Sequence, residues 1–119
     1  RTLLVFQKSL EWLERIHIVV EVLPDNEWIL AKKMLRASSK VPALIASGNS
    51  QFYLTIEREA YRKALNKVKE VKGLIEDMFN SRFISEQDFT ELNEKTDEIG
   101  MMLNAMRKKL AGEIEMNIS

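Results

Sequence analysis

The chain has 119 residues, 45% of them hydrophobic and 30% charged, and its 18 Lys/Arg balance 18 Asp/Glu. A length of this order makes one domain that buries roughly two-thirds of its unfolded surface, and the composition excludes a disordered chain. Four glycines and two prolines are too few for an all-β fold, and the absence of cysteine excludes disulfides and thiolate metal sites.

The first predicted helix runs from about Leu3 to Leu23, with an expected seam at Leu3, Phe6, Leu10, Leu13, His17 and Val20. Thirteen of these 21 residues are apolar, wider than the one stripe a bundle core covers. Leu23-Pro24-Asp25-Asn26 breaks it and offers Asp25 or Asn26 as the next N-cap. The second helix spans about Asn26 to Ser47, with a face at Leu30, Met34, Ala37, Val41 and Leu44. Pro42 lies inside it, which predicts a kink, and Gly48-Asn49 reads as a left-handed C-cap pair.

The third helix, about Phe52 to Phe79, carries Ile56, Ala60, Ala64, Val68, Val71, Ile75 and Met78 on one face. The fourth opens at Ser85-Glu86-Gln87-Asp88, a near capping box flanked by Ile84 and Phe89 as a hydrophobic staple. Its seam reads Phe89, Leu92, Thr96, Ile99, Leu103, Met106 and Leu110. Short links make successive helices antiparallel, so the expected fold is an all-α, up-down-up-down four-helix bundle. It forms a single domain over residues 1–119, with a short flexible tail from about residue 112. Gly73 and Gly100, isolated within helices, are expected to admit close helix contacts.

Chemistry is sparse. Glu14 and His17 match a Glu-x-x-His di-iron spacing, but such sites need a second pair and two more glutamates, and the chain has one histidine. A packed seam histidine is the simpler expectation, so no metal and no cofactor is assigned. There is no glycine-rich phosphate loop, and a Ser-His-Asp arrangement would have only His17 to serve it. An enzyme is not expected. Without cysteine or any apolar run near the ~18 residues of a membrane span, the expected setting is a reducing cytoplasm and no membrane. The chain opens on Arg1 and not on methionine, which leaves open what precedes it.

The neutral total hides an uneven distribution. Residues 28–72 hold ten Lys/Arg against three Asp/Glu, while residues 73–119 hold five against ten. Lys33, Arg36 and Lys40 recur along the second helix, and Arg58, Arg62, Lys63 and Lys67 along the third. Such a band can neutralise phosphates, with Tyr53 and Tyr61 close enough in sequence to stack on unpaired bases. The same charges could instead pair with acidic neighbours, within a subunit or across an interface.

Several short motifs recur in an informative order. Phe6-Gln7-Lys8 is followed by Leu23-Pro24-Asp25, then Arg36-Ala37, then Lys40-Val41-Pro42-Ala43-Leu44-Ile45-Ala46-Ser47-Gly48. Ala64 and Glu70, Phe83-Ile84-Ser85-Glu86 and Glu98-Ile99-Gly100-Met101-Met102-Leu103-Asn104 complete the set. Over about residues 5–110 this resembles the four-helix bundle family named after proteins encoded in intervening sequences of bacterial 23S ribosomal RNA genes. Ser47, Leu44 and Lys40 depart from the glutamate, asparagine and serine usual at those places. The resemblance implies a recurring kink at Pro42 and a homo-oligomer, commonly a ring-like pentamer, of uncertain cellular role. A related branch includes the accessory variability determinant of diversity-generating retroelements, a basic pentamer that partners reverse transcriptase and nucleic acid. The wide apolar surface of the first helix agrees independently with oligomer formation. The leading expectation is therefore a non-enzymatic oligomer that contacts RNA or a nucleoprotein through its basic band. The alternative is a structural or protein-partner module, such as a reverse-transcriptase accessory protein, whose basic face meets acidic neighbours.

Overall fold

The links at residues 50–53 and 81–85 are too short to do anything but reverse the chain, and each reversal lays one amphipathic helix against the last. The computed structural model describes residues 2–118, with side chains described for residues 4–117. It contains α1 (Thr2–Glu21), a 3-10 turn at Asp25–Glu27, α2 (Trp28–Asn49), α3 (Leu54–Asn80) and α4 (Glu86–Ile118). Packing is α1 on α2, α2 on α3, α3 on α4 and α4 back on α1. The result is an all-helical four-helix bundle measuring 54 × 21 × 20 Å.

The α1 seam is rotated from the expected one. The buried row is Val5, Ser9, Trp12, Ile16, Val19 and Leu23, while Leu10 and His17 are exposed; the side chain of Leu3 lies outside the described residues. Two polar groups allow this choice. Ser9 donates to the Phe6 carbonyl at 2.7 Å, so its hydroxyl enters the core satisfied. The Trp12 indole N–H donates to Thr96 Oγ1 at 2.8 Å, and that hydroxyl donates onward to the Leu92 carbonyl at 2.7 Å. Trp12 is the largest fully buried side chain among the described residues, and an indole removes a large apolar area from water once its N–H has a partner.

Two further expectations are corrected at α2. Neither Asp25 nor Asn26 caps it: the 3-10 turn is closed by the Glu27 N–H on the Pro24 carbonyl at 2.8 Å, and α2 begins at Trp28 with no side-chain cap. Gly48 is not a left-handed cap, since no described glycine has positive φ. It lies inside the helix, where a Cβ would lie 2.7 Å from the buried Tyr61 ring and 3.0 Å from Ala60 Cβ, so the close approach to α3 requires glycine there. Pro42 lies buried inside α2 without ending it.

The expected faces of α3 and α4 hold, apart from Ile56, which is exposed. Ser85 Oγ accepts the Asp88 N–H at 3.0 Å, which starts α4. The Asp88 carboxylate, which a capping box would turn back on Ser85, reaches Arg15 of α1 at 3.2 Å. Phe89 stacks on Phe79 with ring centroids 4.3 Å apart. Of the glycines expected at close contacts, Gly73 has open space around it, and a Cβ on Gly100 would meet Val68 and Leu65 at ordinary distances of 3.7 and 3.8 Å. α4 remains helical through residues 112–118.

Candidate nucleic-acid interface

α2 carries Lys32, Lys33, Arg36 and Lys40 and no carboxylate. All four are exposed, and among the described residues none of them forms an ion pair. Their placement follows from helical spacing. Lys33, Ala37, Lys40, Leu44 and Gly48 form one row at three- and four-residue steps, and the contact of Gly48 with Ala60 and Tyr61 makes it the row that borders α3. Lys32, Leu35 and Ser39 lie on the other flank, in a groove shared with His17 of α1. Arg36 stands at the outer rim of that groove.

The cations of α3 divide in the same way. Ala60, Lys63 and Lys67 share the flank that touches α2. Arg58, Arg62, Leu65, Lys69 and Lys72 form the opposite row, where Leu65 approaches Gly100 and Lys72 bonds Asp97 of α4. Lys33, Lys40, Lys63 and Lys67 therefore border one α2–α3 groove, while Arg58 and Arg62 lie on the far side of α3. Charge pairing separates them further. Lys67 meets Glu70 at 3.3 Å, and Arg62 grips Glu59 through Nε and a terminal nitrogen, both at 2.6 Å. The Arg62 hydrogen bond holds the Glu59 carboxyl below its ordinary range and raises the guanidinium in turn. Lys63 and Arg58 form no ion pair among the described residues.

The tyrosines do not act as a pair. Tyr61 is wholly buried, donates its phenol to Glu57 Oε2 at 2.6 Å and packs on Gly48, so it is closed to a base. Tyr53 is exposed beside Phe52, their rings edge to face at 5.2 Å. Nothing in the sequence separates the two tyrosines except the apolar row into which Tyr61 falls beside Ala60 and Ala64.

His17 is exposed where a packed seam histidine was expected, because the rotation of α1 carries it to the α2 groove. Glu14, also exposed, has no second carboxylate–histidine pair near it: no group of three metal-ligating side chains lies together among the described residues. A small cavity of about 170 Å³ opens between the start of α3 and the end of α4, lined by Leu54, Glu57, Tyr61, Met106, Lys109 and Glu113. No helix among the described residues is long and apolar enough to cross a membrane.

Sequence reasoning also missed a polar network that ties α1 to α4: Lys8–Glu98 at 3.2 Å, Arg15–Asp88 at 3.2 Å and Arg15–Glu91 at 3.1 Å. Opposite charges recur at helical spacing on both helices, but only the register of the bundle pairs them.

No curated protein matches the chain. Among solved structures it is similar to a protein of unknown function from the S23 ribosomal protein family of Bacteroides thetaiotaomicron VPI-5482. The two superpose with a TM-score of 0.83 at 23% identity, over 87% of this chain and 98% of that one, which shows a shared fold. Residues 1–105 match the sequence profile of the 23S rRNA-intervening sequence proteins, and the chain belongs to that family.

Proposed function

We propose that this protein is a non-enzymatic, cytoplasmic homo-oligomer that binds RNA, free or within a nucleoprotein, through phosphate contacts on α2 and α3. The observation that carries the reading is a 22-residue helix with four exposed cations and no carboxylate, flanked by Lys63 of α3. Helix surfaces that need charge only for solubility usually mix both signs. Lys33, Lys40, Lys63 and Lys67 would line the phosphate track along the α2–α3 groove. Arg36 would reach it from the outer face, and Arg58 and Arg62 would add contacts only where RNA wraps past α3. Exposed Phe52 and Tyr53 at the end of the groove offer stacking surface for an unpaired base.

Phosphate contacts of this kind position a strand without reading its bases. With about four contacts to single-stranded RNA, affinity should fall roughly fifty-fold between 50 and 200 mM salt. Fluorescence anisotropy with a labelled RNA of mixed sequence measures this directly. Reversal of Lys33, Lys40 and Lys63 to Glu should weaken every RNA sequence alike and flatten the salt slope. Binding that ignores salt, or that survives the triple reversal, rejects the reading.

A further inference from the structure

The two tryptophans of this chain have opposite surroundings. Trp12 is wholly buried, with its indole N–H bonded to Thr96. Trp28, the first residue of α2, is 62% exposed, and among the described residues its ring meets no other aromatic. An exposed indole forgoes the large burial this side chain offers, so what stands beside it matters.

Trp28 opens the groove between α1 and α2, which continues past Lys32, Leu35 and Arg36 and has His17 on its far wall. At the rise of an α-helix, Lys32 stands about 6 Å and Arg36 about 12 Å along the axis from Trp28, on the same row of side chains. Neither cation forms an ion pair among the described residues. No carboxylate lines the groove, since Glu14 and Glu21 of α1 fall outside it. Ser39 commits its hydroxyl proton to the Arg36 carbonyl at 3.1 Å. The donors left for an anion are therefore Lys32, Arg36 and an imidazole N–H of His17.

The groove is thus polarised, with an indole at one end and cations at the other. Ala31 and Leu35 between them are half-buried, so Trp28 supplies the broadest apolar surface. An acidic amphipathic helix would need apolar floor along the whole groove. A nucleotide needs only what is present, one flat ring for its base and a short run of cations for its phosphates. We infer that the α1–α2 groove binds a phosphorylated nucleotide, free or as the 5′ end of an RNA, with its base on Trp28. Its first phosphate meets Lys32, its second meets Arg36, and His17 closes the opposite wall. Stacking holds any base, because each has a π-face, and the charge-assisted hydrogen bonds fix the phosphate end. The site lies on the flank of α2 opposite Lys33 and Lys40, shares only Arg36 with the phosphate track proposed above, and needs no RNA to be occupied.

Trp28 is its own reporter. Red-edge excitation selects the exposed indole over buried Trp12, and ADP should quench it saturably. Adenosine and inorganic pyrophosphate each lack half of the contact, and in calorimetry each should bind about tenfold more weakly than ADP or worse. Trp28→Ala and Lys32→Glu, at exposed positions and checked for fold by circular dichroism, should each cost about tenfold in ADP affinity, while Trp28→Phe keeps a stacking ring and stays within about threefold. A short RNA carrying a 5′-triphosphate, compared with its 5′-hydroxyl form, separates the two sources. Binding tighter than that of ADP and lost in Lys32→Glu assigns the RNA end; binding no tighter than that of ADP assigns the free nucleotide. Reversal of Lys33, Lys40 and Lys63 should leave ADP affinity within about threefold at physiological salt, which screens the far flank, even where it abolishes RNA binding, so the two readings fail separately. Pyrophosphate binding as tightly as ADP would mean an adventitious anion only and overturn the inference. So would an ADP response that does not saturate, one that survives Lys32→Glu, or an indole that ignores ADP and shifts instead with protein concentration, covered by a second copy.

Discussion

Gly48 and Gly73 both sit inside helices, yet their surroundings give the same substitution opposite signs. Alanine favours a helix over glycine by roughly 1 kcal/mol. At Gly73 a Cβ meets nothing within 4 Å, so Gly73→Ala should stabilise the fold by about 0.5–1 kcal/mol. At Gly48 the added methyl would collide with the ring of Tyr61, which is buried and tied to Glu57. The ring has no free end to move, so Gly48→Ala should destabilise by about 1–3 kcal/mol. Urea titration of the two variants against the parent chain reads both signs. Thr96 is a second residue whose role is set by one partner. Thr96→Val keeps the shape but strands the buried Trp12 indole N–H, at a cost of about 1–3 kcal/mol. A loss near zero in the same titration would mean that the indole finds another acceptor.

Among the helices, those with polar faces declared themselves and those without did not. The α4 seam alternates three and four against a background of charge, and the buried positions follow it from Leu92 to Leu110. α1 is apolar on most sides, so periodicity supports several faces equally well, and the indole of Trp12 decides among them. The end of α3 makes a related point. The Phe83 N–H bonds the Met78 carbonyl and the Arg82 N–H the Phe79 carbonyl, at 2.9 and 3.0 Å, a Schellman pattern with Arg82 at the left-handed position. Its φ of 63° strains a residue that carries a Cβ. Arg82→Gly should therefore stabilise by roughly 0.5–1 kcal/mol, measurable as a rise in Tm. Gly48 was expected at such a cap, and the cap with positive φ falls instead on an arginine, because the Met78 and Phe79 carbonyls must be met where α3 ends.

For the whole molecule, the arrangement of charge matters more than its total. Ten of the cations lie between residues 28 and 72, but the bundle splits them between two grooves and the far flank of α3. Double reversal of Arg58 and Arg62 should then weaken RNA binding less than the triple reversal at Lys33, Lys40 and Lys63, since Arg62 is already held by Glu59. Anisotropy titrations of the two variants at one salt concentration decide it, and equal losses would mean that the strand runs across α3 and not along the α2–α3 groove. Composition, three-and-four spacing and short links were enough to determine four antiparallel helices, the seams of α2 and α4 and most of the seam of α3, because those depend on local propensity and on which side of a helix is greasy. Which face of α1 turns inward, why Gly48 is needed, that Tyr61 is closed and that the cations divide are decided only by tertiary structure. Each depends on a partner from a distant helix, and spacing along one helix carries no record of what lies across from it.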